Sequence, residues 1–199
     1  TLVCNFKGIK MTAKLIFFAG SARKESFNKK LAKAASEKAK ELGADVTFID
    51  LADYDMPIIC EDYEAEHGLP ENAKKLKKLF MDHDGFLVSC PEYNSSITPL
   101  LKNTLDWMSR PGEDNSNCFQ GKITAIMGAS PGPLGGMRML PELRNLLCNI
   151  AMHGTHVIPK QFSLSGAGDE FDDNGNLKGD HPLFEATIKQ FVEMANKLK

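Results

Sequence analysis

From position 11 onward the chain alternates between short apolar runs and longer stretches in which apolar residues return every three or four positions. Lys14-Leu-Ile-Phe-Phe-Ala19 is an apolar run ending at Gly20-Ser21, the pattern of a strand buried on both faces. Residues 28–42 follow, with Leu31, Ala35, Ala39 and Leu42 at helical spacing and Gly43 where a helix stops. Val46-Thr-Phe-Ile49 reads as a second strand closing at Asp50, while Pro57 and the acidic residues 61–66 read as a long solvated loop. Leu69, Ala73, Leu76 and Phe80 mark one face of a helix with four lysines on its polar side, and Gly85-Phe-Leu-Val-Ser89 reads as strand three. Leu101, Leu105 and Met108 mark another helix, residues 123–127 a fourth strand, and Leu140, Leu143, Leu147 and Ile150 the helix after it. His156-Val-Ile158 is a short fifth strand; Phe184, Ile188, Phe191, Ala195 and Leu198 line a final amphipathic helix. Five strands alternating with five helices predict one doubly wound α/β domain, a parallel sheet covered on both faces.

Composition narrows the classes of partner. Residues 1–10, which precede Met11, read as a non-native or disordered extension; the domain is taken as 11–199 and Cys4 is set aside. Over 199 residues, 42% hydrophobic and 25% charged is ordinary globular composition, against disorder or coiled coil. Twenty-four Lys plus Arg against 26 Asp plus Glu give a net charge of -2, so no basic surface suggests nucleic acid. The longest apolar runs are of strand length, so no membrane span is expected. Five scattered cysteines without a CxxC pair read as free thiols in a reducing, cytoplasmic compartment.

An open parallel sheet binds ligands beyond the carboxyl ends of its strands, which directs attention to the segments after strands one, three and four. After strand one comes Gly20-Ser-Ala-Arg-Lys-Glu-Ser-Phe-Asn28, opening the first long helix. A helix N-terminus attracts anions through its free N–H groups and dipole; Ser21, Ser26 and Asn28 add donors and Arg23 a charged fork. Neither GxxxxGK[ST] nor GxGxxG is present in this loop. Hydroxyl and amide donors without close-approach glycines favour a terminal monophosphate. A plainer reading, Ser26 as helix cap and Arg23 as solvated loop residue, stands beside it.

The segment after strand three, Cys90-Pro-Glu-Tyr-Asn-Ser-Ser-Ile-Thr-Pro-Leu-Leu-Lys-Asn-Thr-Leu-Asp-Trp107, closely resembles the PEYN-x-S-x-x-x-x-LKN-x-xDW signature of the NADPH-dependent FMN reductase family. The first loop resembles that family's GSxRxxSxN, and Gly128-Ala-Ser-Pro-Gly-Pro-Leu-Gly-Gly136, after strand four, resembles its GASxGxxGG. The resemblance runs from about Ala13 to the mid-150s, with all three motifs in order. It implies a flavodoxin-like fold: a doubly wound five-stranded parallel sheet in order 2-1-3-4-5, with helices on both faces. It implies that Ser21, Arg23, Ser26 and Asn28 hold the FMN phosphate. Pro91, Glu92, Tyr93 and Asn94 would line the ribityl chain and ring edge, largely through backbone groups, with Ser130 and Gly132 meeting the ring from the opposite loop. NADPH or NADH would be the co-substrate, and a quinone, azo compound, flavin or metal oxyanion the small-molecule acceptor. The flavin carries such chemistry, so no catalytic side chain is expected and Tyr93 is a positioning residue. The family also implies a homodimer or homotetramer. Two departures stand out: Pro99 falls one place later than is usual, and Pro131 and Pro133 remove two backbone donors from the third loop.

Other patterns point to structure. Asp172-Asp-Asn-Gly-Asn176 looks like a calcium loop, but Leu177 and Leu183 stand where Gly and Glu would be needed, so a turn is expected. His153 and His156 near Cys148 lack a fourth ligand, and no metal site is expected. Asp106 and Trp107 are expected at an interface or in a structural role. Two other activities remain open at this point: a flavodoxin-type electron carrier, which the mild charge and Arg23 disfavour, and a flavin-free hydrolase or regulatory module on the same fold.

Overall fold

The computed structural model describes residues 12–111, 116–149 and 154–199. The expectations for residues 1–10 (Cys4 among them), Ile150 and His153 fall outside the described residues. Strands β1 (Lys14–Ala19), β2 (Asp45–Phe48), β3 (Gly85–Ser89), β4 (Ile123–Ala129), β5 (His156–Val157) and β6 (Phe162–Leu164) form one parallel sheet in the order β2-β1-β3-β4-β5, with β6 also on β4. The central strands β1, β3 and β4 are buried almost throughout, which is why they read as unbroken apolar runs.

The fifth strand position is divided. β5 pairs with Ile123 and Thr124, and β6 with the last three residues of β4, so two short segments lie where one was expected. Between them stands Pro159, which has no N–H to give the ladder.

Alternation along the strands separates two cores. Leu15, Phe17, Ala125 and Met127 meet the helices α1 (Phe27–Glu41) and α6 (Pro182–Leu198). Ile16, Phe18, Phe86 and Ile126 meet α3 (Glu71–Met81), α4 (Pro99–Ser109) and α5 (Met139–Cys148). A cluster of Phe18, Phe80, Phe86 and Phe119 packs the second core edge-on or tilted, at centroid distances of 5.1–6.1 Å. Leu42 and Leu198, expected on apolar helix faces, lie at helix ends and are exposed.

Residues 61–66 correct the expectation of a loop: Glu61–His67 is a helix, α2. None of its residues is buried, so no apolar period marks it. Glu61, Asp62 and Glu64 in its first turn oppose the positive end of its dipole, Glu64 pairs with Arg110 at 2.6 Å, and Tyr63 packs edge-on to Trp107. The four lysines of α3 also divide. Lys77 is buried, and its ammonium donates to the carbonyls of Met108, Arg110 and Ser116, closing the end of α4.

Candidate functional site

Three loops rise from the carboxyl ends of β1, β3 and β4, held together by polar side chains that are mostly buried. The chain leaves β1 through Gly20, whose N–H donates to Ser89 O at 2.9 Å. A Cβ at Gly20 would come within 3.1–3.2 Å of Leu101, Cys90 and Thr98, so the first loop lies hard against the start of α4. Thr98 is the joint on that side: its hydroxyl donates to Gly20 O at 2.7 Å and accepts from Leu101 N at 3.3 Å, capping α4, which opens with Pro99 at its first turn.

The first loop is an anion cradle. Ser26 caps α1 by accepting from Lys29 N at 3.3 Å, and Lys30 N takes the Ser26 carbonyl. The amides of Phe27 and Asn28 precede the first intrahelical bond and point along the positive end of the helix dipole. Ser21 is buried, with its Oγ accepting from Arg23 N at 3.3 Å. Arg23 is exposed and meets no carboxylate among the described residues; its guanidinium lies 5.3 Å from the Phe27 ring centroid, and Phe27 stacks on Phe171. An aromatic platform thus restrains the guanidinium without neutralising it.

The second loop is a two-residue hairpin. Tyr93 and Ser96 exchange both backbone hydrogen bonds at 3.0 Å, while Asn94 and Ser95 at its tip adopt φ of 51° and 69°. Left-handed backbone at two consecutive non-glycine residues is strained. Pro91 is half-buried and Tyr93 and Asn94 are exposed. Glu92 goes beyond the backbone role implied for it. Its carboxylate accepts from the amides of Arg138 and Met139 at 2.9 and 3.3 Å and pairs with the Arg138 guanidinium, so it caps α5 and ties the second loop to the third.

The third loop is anchored inward. Ser130 N donates to Leu164 O, Gly132 N to Ser130 Oγ and Gly135 N to Gly132 O, so the amides of Ser130 and Gly132 are already engaged. Gly135 is required: at φ 59° a Cβ would meet Ser163 and the Leu164–Ser165 backbone at 2.6–2.7 Å. Pro131 and Pro133 bring no backbone donors to this loop.

Asn28 is placed differently from its implied phosphate role. It is buried at the root of the cradle, its Nδ2 donating to Ala129 O at 2.8 Å and its Oδ1 accepting from Ala129 N at 2.9 Å and Ser89 Oγ at 2.8 Å. Thr98, Ser89, Arg138 and Phe27 are site-building residues that no motif position had singled out. Only Thr98 carried a signal, a capping hydroxyl directly before a proline suited to a helix start.

The remaining candidates are structural. Trp107 is fully buried and donates from Nε1 to Pro57 O at 2.7 Å; Asp106 pairs with Lys102. Asp172 accepts from Asn174 N, Asn176 N and Asn176 Nδ2, which holds its carboxyl below the usual range and makes the segment a turn. No cluster of three potential metal ligands occurs among the described residues. Burial pushes the Cys90 and Cys118 thiols up to about 11, so neither is a nucleophile near neutral pH.

Residues 13–169 match the sequence pattern of the NADPH-dependent FMN reductase family. A quinone reductase of Pseudomonas putida is 35% identical over 174 residues, covering 87% of this chain and 89% of that protein. A 2-hydroxy-1,4-benzoquinone reductase of a Burkholderia species is 35% identical over 170 residues, covering 84% and 86%. Among solved structures, FerB from Paracoccus denitrificans, a flavoenzyme NAD(P)H:(acceptor) oxidoreductase, is similar with a TM-score of 0.75 and 27% identity, covering 94% of this chain and 98% of that one. With the cradle, the strained hairpin and the matching sheet order, these likenesses place the chain in the NADPH-dependent FMN reductase family, on the flavodoxin-like fold.

Proposed function

We propose that this chain oxidises NAD(P)H and delivers the electrons, by way of bound FMN, to a quinone-class acceptor. The observation that carries the reading is the Arg23 guanidinium, held over Phe27 without a carboxylate partner among the described residues, beside the free amides opening α1. That donor set suits a terminal phosphate: Ser21 and Ser26 contribute hydroxyls, Arg23 charge, and the first turn of α1 its amides and dipole. Pro91, Tyr93 and Asn94 would flank the ribityl chain and ring edge. Ser130 and Gly132 would form the opposite wall, contributing shape more than donors.

When bound, FMN supplies the capacity to take a hydride from a nicotinamide and release it to an acceptor. The protein's part is placement. The cradle would hold the phosphate end of the cofactor and the hairpin would flank its ring edge, while Glu92 ties hairpin and third loop together. Tyr93, exposed beside the hairpin, positions ligand and need not transfer a proton. The quinone preference rests on the relatives' names. The exposed side chains Tyr93, Leu134 and Met137 on the two ring loops give an apolar approach consistent with it.

The same reading includes a cytoplasmic protein with its domain beginning near Met11, acting as a homodimer or homotetramer, with neither nucleic acid nor membrane as partner. No helix among the described residues is long and apolar enough to cross a membrane. Ile58, 84% exposed on a loop fastened by Asn103 and Trp107, suits burial against another subunit. Light scattering on the purified protein reports the oligomer.

The deciding experiment is reconstitution with FMN followed by anaerobic addition of NADPH or NADH and then a benzoquinone. Bleaching of the flavin absorbance by the nicotinamide and its return with the quinone are expected. A protein that retains no FMN overturns the reading; FMN that is bound but not reduced by either nicotinamide points to an electron carrier instead.

A further inference from the structure

Accepting that FMN occupies the cradle, the geometry points to a task for Asn28 other than phosphate contact. We propose that Asn28 is a positioning residue whose carboxamide fixes the phosphate loop to the two ring loops, so that it governs binding of the whole flavin.

The sheet runs out unevenly beside the first turn of α1. β3 ends at Ser89, opposite Met127; Cys90 N still donates to Met127 O at 2.9 Å, and the chain leaves the ladder after it, at Pro91. β4 continues two residues further, to Ala129. On the β3 side, the N–H and C=O of Ala129 therefore have no strand residue opposite them. The Asn28 carboxamide fills that place: Nδ2 donates to Ala129 O at 2.8 Å, and Oδ1 accepts from Ala129 N at 2.9 Å. A primary amide carries the same donor and acceptor as a peptide unit, so the side chain behaves as one more ladder residue beside β4. Ser89 completes the joint by donating from Oγ to the second lone pair of Oδ1 at 2.8 Å.

Three elements distant in sequence thus meet at one side chain: the first turn of α1, the end of β3 and the end of β4. The joint is buried, with Asn28 3% exposed and Ser89 0% exposed, so each bond is made away from water and an unmade one leaves a buried polar group without a partner. One Nδ2 hydrogen is all the polar capacity the side chain has left. No other residue type supplies this set at this reach. Asp lacks the donor and would set a carboxylate against the Ala129 carbonyl; Ser lacks the paired geometry. Residues that hold ligand-binding groups in place act on ligand affinity without touching the ligand.

A phosphate ligand and a positioning residue differ in how they treat riboflavin, which has the ring and ribityl chain but no phosphate. Apoprotein is titrated with FMN and with riboflavin by flavin fluorescence, well below each variant's melting temperature. Arg23→Ala is expected to weaken FMN and leave riboflavin unchanged. Asn28→Ala is expected to weaken both by the same factor, about tenfold, keeping the FMN-to-riboflavin ratio of the wild type. Ser89→Ala, which acts through Asn28, weakens both by a smaller common factor. The Asn28→Ala, Ser89→Ala double variant binds no more weakly than Asn28→Ala alone.

Loss of FMN affinity alone in Asn28→Ala overturns the proposal in favour of phosphate contact. Unchanged affinity for both flavins in a folded variant overturns it in favour of a role in stability only, and additive losses in the double variant overturn the joint. If Asn28→Ala does not fold, Ser89→Ala carries the same test, since a hydroxyl bonded to Asn28 has no reason to distinguish the flavins. Wild-type protein that binds neither flavin overturns the functional reading and this inference with it, before any variant is compared.

Discussion

The two ends of the sheet handle charge in opposite ways. At the amino ends of the strands, charge is matched inside the protein. Asp84 accepts from Lys14 N at 2.8 Å and pairs with Lys199 at 3.0 Å, Lys122 donates to the His83 carbonyl, and Lys77 is buried among the carbonyls that end α4. Burial lowers the pKa of Lys122, so that end tolerates partial desolvation of a cation for the sake of closing α3. At the carboxyl ends, Asn28 and Ser89 are buried, neutral and bonded to each other, Thr98 bonds Gly20, and Glu92 pairs with Arg138, while the Arg23 cation stays at the surface without a carboxylate among the described residues. An exposed cation without a carboxylate at one end and a buried, carbonyl-bound cation at the other mark the difference. A near-neutral net charge of -2 conceals this division.

Substitutions at the two ends should therefore separate stability from binding. The largest effect is expected for Lys77→Met at the closed end. Three carbonyls lose their donor, and the protein should lose about 3 kcal/mol of stability in urea unfolding while the folded fraction keeps its flavin affinity. Next comes Arg23→Ala at the open end, which removes a charge-assisted contact worth about 2 kcal/mol; FMN should bind about 30-fold more weakly by titration, with the melting temperature unmoved. A variant that reversed these outcomes would abolish the distinction. Asp84→Asn keeps the hydrogen bond from Lys14 and loses the pairing with Lys199, so a decrease of about 1 kcal/mol in unfolding free energy and no change in FMN affinity are expected.

The smallest effect concerns pH. The Asn176 side chain and backbone hold the Asp172 carboxyl below its ordinary value of 3.8. A depressed folded pKa stabilises the turn above the unfolded value, and this stabilisation is lost as pH falls through the folded one. The carboxyl signal of Asp172 in an NMR titration should have its midpoint below the ordinary 3.8, and Asn176→Ala should bring it back toward the ordinary range.

Much of the fold was legible because its signals are local. Residues 15–19 and 86–88 are apolar throughout because both faces are covered, and α1, α4 and α6 show an apolar face at helical spacing because each covers one core. Helix α2 escaped for the converse reason: it buries nothing, and what holds it is Arg110, almost fifty positions away. The division of the fifth strand escaped as well, since three residues beside a proline carry too little pattern to register. In the site, the cradle motif was readable because a helix start, two hydroxyls and an arginine lie within one segment. The capping of α5 by Glu92 was not, because the two partners are 46 positions apart.

The sequence by itself determined the alternation of strands and helices and the three loops where ligand chemistry belongs, since periodicity and contiguous motifs are properties of short segments. Tertiary structure alone decided which polar side chains of the loops stay at the surface and which turn into the protein. Arg23 and Asn28 stand five positions apart in one motif, yet one remains at the surface over Phe27 and the other closes the end of β4. The reason is that a side chain's partner depends on where strands end in space: β3 stops two residues short of β4, and no local pattern encodes that difference.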